Sequence, residues 1–428
     1  MAEFYNTSYS STSRNKRGRS FIGYVVDALV LVATIAVVTL FFITLFIPNI
    51  NPHKAEELST IGLIAPFVYA AVLLLTLYWI IRWRVWIAGV MIIISMCGLP
   101  SLSSFYKMEL RRSYDEPFTE RDAKQKYGNA VKVLTYNVRS FIGDAGERCI
   151  DSIAKMVKTL NPDILCFQEM GFSEQVDSML LPLNPMPRTV SRNNLSPAIY
   201  SKYPIVKAGR IDTMKNLAWA DVVMRDDTVR IFNLHLQSTA IRRDDSEYIE
   251  SQEFLNEPDS TGKMQSIVER LSENNMLRAT QVDTLSQIIS SSPYPVIVCG
   301  DFNDTPISYT YRTMSRDLND AFRKVGRGYS HTYRGFFDML RIDYVLCSDE
   351  FAPLSYEVID SWGLVRAKRW ARDTVTYVLR KFGHQMPLKG ENVDMPDSMQ
   401  VDNRVLYSDH YPVFVRLRYD SKKQLKTQ

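Results

Sequence analysis

Asn137, Glu169, His235, Asp301, Asn303, Asp343, Asp409 and His410 share one context: each lies at the end or edge of a short apolar run. Asn137 closes the run that begins at Val131, and Glu169 follows Ile164 to Gln168. His235 interrupts Ile231-Phe232-Asn233-Leu234-His235-Leu236. Asp301 and Asn303 stand in Gly300-Asp301-Phe302-Asn303-Asp304, just after the apolar run Pro295 to Cys299. Asp343 belongs to Arg341-Ile342-Asp343-Tyr344, which opens another run, and Ser408-Asp409-His410 precedes the last one. Taken singly these are ordinary: a glutamate after a strand is a solvated end, a histidine in an apolar run is a satisfied core residue, and Gly-Asp is a turn. Taken together they predict strand ends converging on one cleft. The chemistry that suits such a cleft is phosphoester hydrolysis. Hard oxygen ligands from Glu and Asn favour magnesium or manganese over zinc, and no Cys/His cluster argues otherwise. A metal there polarises a phosphate oxygen, an Asp activates water, and histidines set by neighbouring carboxylates donate to phosphate.

Strands must position these residues. Val131 to Val138, Ile164 to Gln168, Ala198 to Ser201, Ala220 to Met224, Val229 to Leu236, Val296 to Cys299, Ile342 to Cys347 and Val413 to Leu417 read as strands. Several are apolar throughout, which buries both faces. Helical periodicity appears from Cys149 to Leu160 and from about Met264 to Ile289. The pattern is an α/β domain spanning about 130–420, with strand layers covered by helices. The chain has 428 residues, 46% of them hydrophobic, enough for one sizeable core and more. A net charge of +4 makes no case for nucleic acid by itself. The five cysteines match no zinc spacing and read as small buried hydrophobes.

Three apolar segments precede that domain, at about 21–47, 61–81 and 85–105, after a basic tail over 1–20. The first two are long enough to span a bilayer of about 30 Å. The third spans if it extends to about Phe105. Arg14, Lys16, Arg17 and Arg19 place the N-terminus in the cytoplasm, as do Arg82 and Arg84 for the turn between the second and third segments. Three spans put the catalytic domain outside the cytoplasm; an interfacial third segment leaves it inside. Asp27 falls near the basic end of the first span and is expected at the interface, solvated. Residues 106–129 read as a linker and 421–428 as a tail.

The same residues carry a family resemblance. Leu134-Thr135-Tyr136-Asn137-Val138, Gln168-Glu169, Asn233-Leu234-His235-Leu236, Gly300-Asp301-Phe302-Asn303-Asp304, Arg341-Ile342-Asp343-Tyr344-Val345-Leu346 and Ser408-Asp409-His410-Tyr411-Pro412-Val413 resemble, in order, the motif series of the endonuclease/exonuclease/phosphatase superfamily. Ala198 to Ile205 resembles a further structural signature of that group. The resemblance implies a four-layer α/β/β/α sandwich, with the cleft at one end of two packed mixed sheets. It implies that Glu169, with Asn137 nearby, binds Mg2+ or Mn2+, with Asp409 supporting the metal or its water shell. Asp301 would orient or deprotonate the attacking water, and Asn303 would brace the phosphate. His235 and His410 would contact the phosphate and assist proton transfer, and Asp343 would fix His410. His235 stands where abasic-site endonucleases carry a tyrosine, and Arg341 to Tyr344 differs from the Cys-Asp-Arg pattern of inositol 5-phosphatases. Helices ahead of such a domain resemble bacterial membrane members, which implies an inner-membrane protein.

The expected function is therefore membrane-anchored hydrolysis of phosphodiesters, with nucleic acid or a phospholipid headgroup as substrate. A phosphomonoesterase with the same metal site, and an inert membrane scaffold, are the alternatives. The bilayer is the expected partner, with no obligate protein partner. Residues 239–262 are charged and are expected to loop out. In 361–403, basic residues interleave with Trp362, Val365, Trp370, Tyr377 and Phe382, which fits either a membrane-surface helix or a solvated helix packed on the domain. His331 is weighed as a cleft residue and placed outside it by preference, and His53 and His384 read as loop residues.

Overall fold

The computed structural model describes residues 21–107, 128–143, 146–171, 184–185, 196–211, 214–239, 241, 243–252, 260–360 and 407–420. The basic tail, most of the linker, the 361–403 stretch with His384, and the C-terminal tail lie outside the described residues.

The apolar segments form helices Phe21–Phe46 (α1), Ala65–Ile81 (α2) and Val85–Cys97 (α3), followed by a turn of helix, Leu99–Leu102 (α4). Short 3-10 turns, the last being Glu57–Ile64, join α1 to α2. The continuous helical stretches Phe21–Asn49 and Glu57–Ile81 are long and apolar enough to cross a membrane. Asp27 departs from expectation. It is 5% exposed and pairs with Arg82 Nε at 2.7 Å and Arg84 Nη2 at 3.0 Å, with the Tyr78 hydroxyl donating to it at 2.8 Å. A carboxylate on an apolar helix needs such partners, and the turn after α2 brings them within reach.

The strands are Tyr106–Lys107 (β1), Val131–Asn137 (β2), Ile164–Gln168 (β3), Asn184–Pro185 (β4), Ala198–Ser201 (β5), Ile205–Ile211 (β6), Met214–Met224 (β7), Asp227–His235 (β8), Val296–Asp301 (β9), Asn319–Asp320 (β10), Gly328–Tyr329 (β11), Asp343–Cys347 (β12), Phe351–Val358 (β13) and Val413–Tyr419 (β14). Among the described residues they make two six-stranded sheets, ordered β10-β12-β9-β8-β7-β6 and β13-β14-β2-β3-β5-β4, plus the pair β1-β11. Both large sheets are mixed, with β8–β9 and β2–β3 parallel.

Alternation along each strand builds the layers. Val133, Cys166, Ile231, Ile297 and Val345 face inward, where the sheets pack on each other. Leu134, Tyr136, Leu165 and Phe167 face outward under helix Ile150–Leu160. Phe232, Leu234, Val298 and Leu346 face outward under helix Ser260–Ser290. The result is a four-layer α/β/β/α sandwich. Residues 239–262 do not simply loop out: they include helix Arg243–Glu250, whose buried Tyr248 packs with Ile267 and Leu271 of the long helix. Cys149, Cys166, Cys299 and Cys347 are buried and Cys97 is exposed.

Candidate active site

The site lies where the apolar seam between the sheets turns polar. Continuing the inward alternation reaches Asn137 on β2, Gln168 on β3, His235 on β8 and Asp301 on β9. On antiparallel β12 the equivalent position is its first residue, Asp343. Register sets these side by side: His235 opposite Asp301, Asp301 opposite Asp343, and Asn137 opposite Gln168. Gly300 is required at that point. Its φ is +132°, and a Cβ there would stand 2.0 Å from the Leu234 carbonyl oxygen.

Asn137 links the sheets, its Nδ2 donating to Glu169 Oε1 and to Asp301 Oδ2, each at 3.0 Å. Glu169 projects from a backbone with φ +48°, an uncommon conformation for a side chain that is not glycine. Asp301 Oδ1 accepts from the Asn303 backbone N–H at 2.8 Å, and Asn303 Nδ2 donates to the Leu236 carbonyl at 3.1 Å. His235 Nε2 lies 3.4 Å from Glu169 and 3.8 Å from Asp301. His410 Nδ1 meets Asp343 Oδ2 at 2.9 Å, which turns its Nε2 toward Asp301 at 3.6 Å. Asp409 stands at the rim, 3.8 Å from Arg139 Nε. Six of the eight residues, Asn137, Glu169, His235, Asp301, Asp343 and His410, are thus joined by contacts around Asp301. Asn303 braces Asp301 through the main chain, and Asp409 is further out.

Electrostatics favour a charged His410. Burial acts against the imidazolium, yet the charges of Asp343 and Asp301 raise it to about 10. Burial pushes Asp343 up to about 6, against the pull of His410. Asp301, Asp343 and His410 each offer a ligand atom, all within 4.8 Å of one another. Because His410 Nδ1 is already taken by Asp343, this trio is better suited to orienting the imidazole. The carboxylates that face the cleft are those of Glu169, Asp301, Asp304 and Asp409, while the Asn137 Oδ1 accepts from the Arg139 N–H at 3.1 Å.

A cavity of about 130 Å³ opens here, with Glu169, Asp301, Asn303, Asp409 and His410 on its polar side. A groove of about 310 Å³ between the apolar helices offers only the hydroxyls of Tyr69, Thr76 and Ser95 as polar side-chain groups.

The Endonuclease/Exonuclease/phosphatase family model matches residues 134–410, well over half of the chain. The chain belongs to this family. A second model, a domain of unknown function, matches residues 27–105. Comparison with curated proteins finds no match. Among solved structures, a mannosyl-6-phosphatase from Bacteroides thetaiotaomicron VPI-5482 is similar at 18% identity, over 68% of this chain and 100% of that one, with TM-score 0.42. An endonuclease/exonuclease/phosphatase family protein from Bacteroides thetaiotaomicron is similar at 18% identity, 68% and 95% coverage, TM-score 0.43. A humanised D. rerio TDP2 is similar at 13% identity, 68% and 99% coverage, TM-score 0.40.

Within this phosphoesterase fold, several further residues position the site; Gln168 and Asn233 stand in the motifs quoted above, whereas Thr332, Tyr333 and Arg278 have no signature in the sequence. Gln168 and Asn233 staple the sheets behind the cleft: Gln168 Nε2 donates to Asn233 Oδ1 at 2.6 Å, and Asn233 Nδ2 donates to the Phe167 and Ala198 carbonyls. Thr332 Oγ1 accepts from the N–H groups of Ile342 and Asp343 and so fixes the start of β12. Tyr333 lies against His410, ring centroids 5.1 Å apart. Arg278 is 1% exposed in the cavity wall, donating to the Gln237 carbonyl at 2.8 Å and lying 3.5 Å from Asp304. Arg341 points away from the cleft into a buried pair with Asp320 at 2.8 Å. His331 is outside the cleft, bonded to Asp338 at 2.9 Å.

Proposed function

We propose that this chain is a membrane-anchored phosphodiesterase dependent on a divalent cation, Mg2+ or Mn2+. The observation that carries the reading is the arrangement around Asp301: one buried carboxylate held by Asn137 and Asn303, faced by two imidazoles, beside Glu169. The donor set fits a hard cation. The carboxylates of Glu169 and Asp301 converge on one point, each 3.0 Å from the Asn137 amide nitrogen, where a positive partner is favourable. Glu169 would hold the cation, joined by Asn137 once its amide is turned to present Oδ1 in place of Nδ2, with Asp409 supporting its water shell. When bound, the cation polarises a phosphate oxygen and offsets the charge developing there.

The side chains perform the rest. Asp301, its Oδ1 fixed by the Asn303 N–H, takes the proton of the attacking water. His410, held protonated and aimed by Asp343, donates to the phosphate, and His235 contacts it from the β8 side. Membrane anchoring is supported by the exposed apolar outer faces of the helices, with Ile22, Leu29, Val32, Ile35 and Leu74 each more than half exposed. The third helix runs alongside the others. Arg84 at its start meets Asp27, and Gly98 at its end abuts Phe41 and Tyr69. That supports three crossings, with the catalytic domain on the face opposite the basic tail, outside the cytoplasm.

The test is hydrolysis of a chromogenic phosphodiester by the full-length protein in detergent, with Mg2+ or Mn2+. Turnover should vanish on chelation and fall by roughly 10²–10⁴-fold in Asp301→Ala and His410→Ala. Full activity in both variants removes the assignment.

A further inference from the structure

One wall of the cleft does not come from the sheets or their covering helices. Ser59, Thr60 and Leu63, from the loop between α1 and α2, line the same cavity as Asp301 and His410. The loop is fastened there. Asn275 Nδ2 donates to Ser59 Oγ at 2.7 Å, and Thr305 Oγ1 donates to the Gly62 carbonyl at 3.2 Å. Backbone meets backbone at Gly62, where an added Cβ would stand 2.3 Å from the Ile307 carbonyl oxygen. Further back, Asn51 Nδ2 donates to Tyr309 Oη at 3.2 Å and His53 Nε2 meets Thr280 Oγ1 at 2.9 Å.

The wall is apolar. Leu63 packs into one cluster with Tyr248, Ile267 and Leu271 and into another with Phe336, Leu340 and Ile342. Leu271, Leu340 and Ile342 also line the cavity. The apolar surface continues toward the membrane-spanning helices: Phe67, at the start of α2, packs edge-on against Phe336 and Phe337, 6.2 and 5.6 Å between ring centroids. Phe67, Phe337 and Leu58 are 36%, 43% and 40% exposed. The cavity thus has carboxylates and the His410 imidazole on one side and an aliphatic strip, Leu63, Leu271, Leu340 and Ile342, on the other.

We infer that the loop between the first two helices is a substrate-binding element, and that it takes the apolar chain of an amphiphilic phosphoester, a lipid phosphate reached from the bilayer. The inference rests on the phosphodiesterase reading above and names its substrate class. The phosphate sits at the polar side while the first methylenes of its chain lie along Leu63, Leu340 and Ile342. Each buried CH2 is worth about fourfold in affinity. A nucleic acid gains nothing comparable along that strip, because the groups flanking its scissile phosphate are sugars and further phosphates, with no run of methylenes to bury there.

The experiment uses full-length protein and two water-soluble diesters with one leaving group, methyl and hexyl 4-nitrophenyl phosphate. The expected result is a kcat/KM at least tenfold higher for the hexyl ester, a preference that shrinks at least fivefold in Leu63→Asn and survives in Leu63→Met. In nanodiscs, the dodecyl ester dissolved in the bilayer should be hydrolysed as well. Equal rates on methyl and hexyl esters in the wild-type protein overturn the inference without any variant and leave the metal site standing. So does faster cleavage of a DNA or RNA oligonucleotide than of the hexyl ester. A hexyl preference with no cleavage of the bilayer-borne ester overturns the membrane source. Failure on every diester, with metal present, overturns the phosphodiesterase reading and this inference with it.

Discussion

Asp343 shows how a residue without access to solvent can orient one that lines the cleft. It is 1% exposed, and its bond to Nδ1 selects which nitrogen of His410 faces Asp301. Asp343→Asn should keep the fold and lower kcat by about 10–100-fold, the usual effect of losing a group that orients a reactive imidazole. Steady-state kinetics beside a circular dichroism spectrum would check it, and wild-type kcat would remove the orienting role. His331 carries a different prediction. Burial opposes its charge, but Asp338 and Asp360 raise it from 6.5 to about 9. A raised histidine stabilises the fold fully below its unfolded value and loses that contribution as pH rises through about 9. The contribution is on the order of 3 kcal/mol at most. Wild-type protein should therefore lose thermal stability relative to His331→Gln between pH 6.5 and 9.5, and parallel curves would exclude it. Asn137, Glu169, His235, Asp301 and Asp343 were legible in the sequence because each is a polar residue in or beside an apolar run. Arg278, Tyr333 and Thr332 were not, because a helix arginine or a loop tyrosine has no local oddity and only tertiary packing brings it to the cleft.

At the scale of elements, register decides the site. A slip of one residue between β8 and β9 would turn Asp301 away from His235 and into the helix layer. Gly300 guards that register, so Gly300→Ala should destabilise the protein by about 3 kcal/mol or more and lower the yield of folded material. An unchanged melting temperature would show that the strand can absorb the Cβ. The long buried strands and both long domain helices were legible from periodicity. The partly buried β6 and β13 were not, since their half-buried or exposed positions break the apolar run, and neither were β1, β4, β10 and β11, since two-residue pairings leave no period. Helix Arg243–Glu250 was hidden by its charge: Tyr248 and Ile249 are its only large apolar residues, and what they pack against lies in another segment.

For the whole molecule, the sequence suggested helices followed by an independent domain. The contacts describe something more interdependent. Ile307 of the domain and Phe105 after α4 belong to the same buried cluster as Phe41, Val68 and Val72 of the helices. Removing residues 1–105 would expose Ile307, Leu340 and Phe336 and delete one wall of the cleft. The truncated protein should melt at a lower temperature than the full chain in detergent and bind a hydrophobic dye more strongly. Equal melting temperatures would mean that the helices only tether.

The pair β1–β11 follows from the chain's path. Only Ser103, Ser104 and Phe105 separate α4 from β1, and Tyr106 then pairs with Tyr329 while Lys107 pairs with Gly328. So short a hinge, sewn to the domain on its far side, gives the cleft a set height and heading relative to the helices. For an enzyme fed from its own leaflet, encounters then occur in two dimensions. The rate would follow the mole fraction of substrate among neighbouring lipids, so adding inert lipid would slow turnover even though nothing in the surrounding solution had changed.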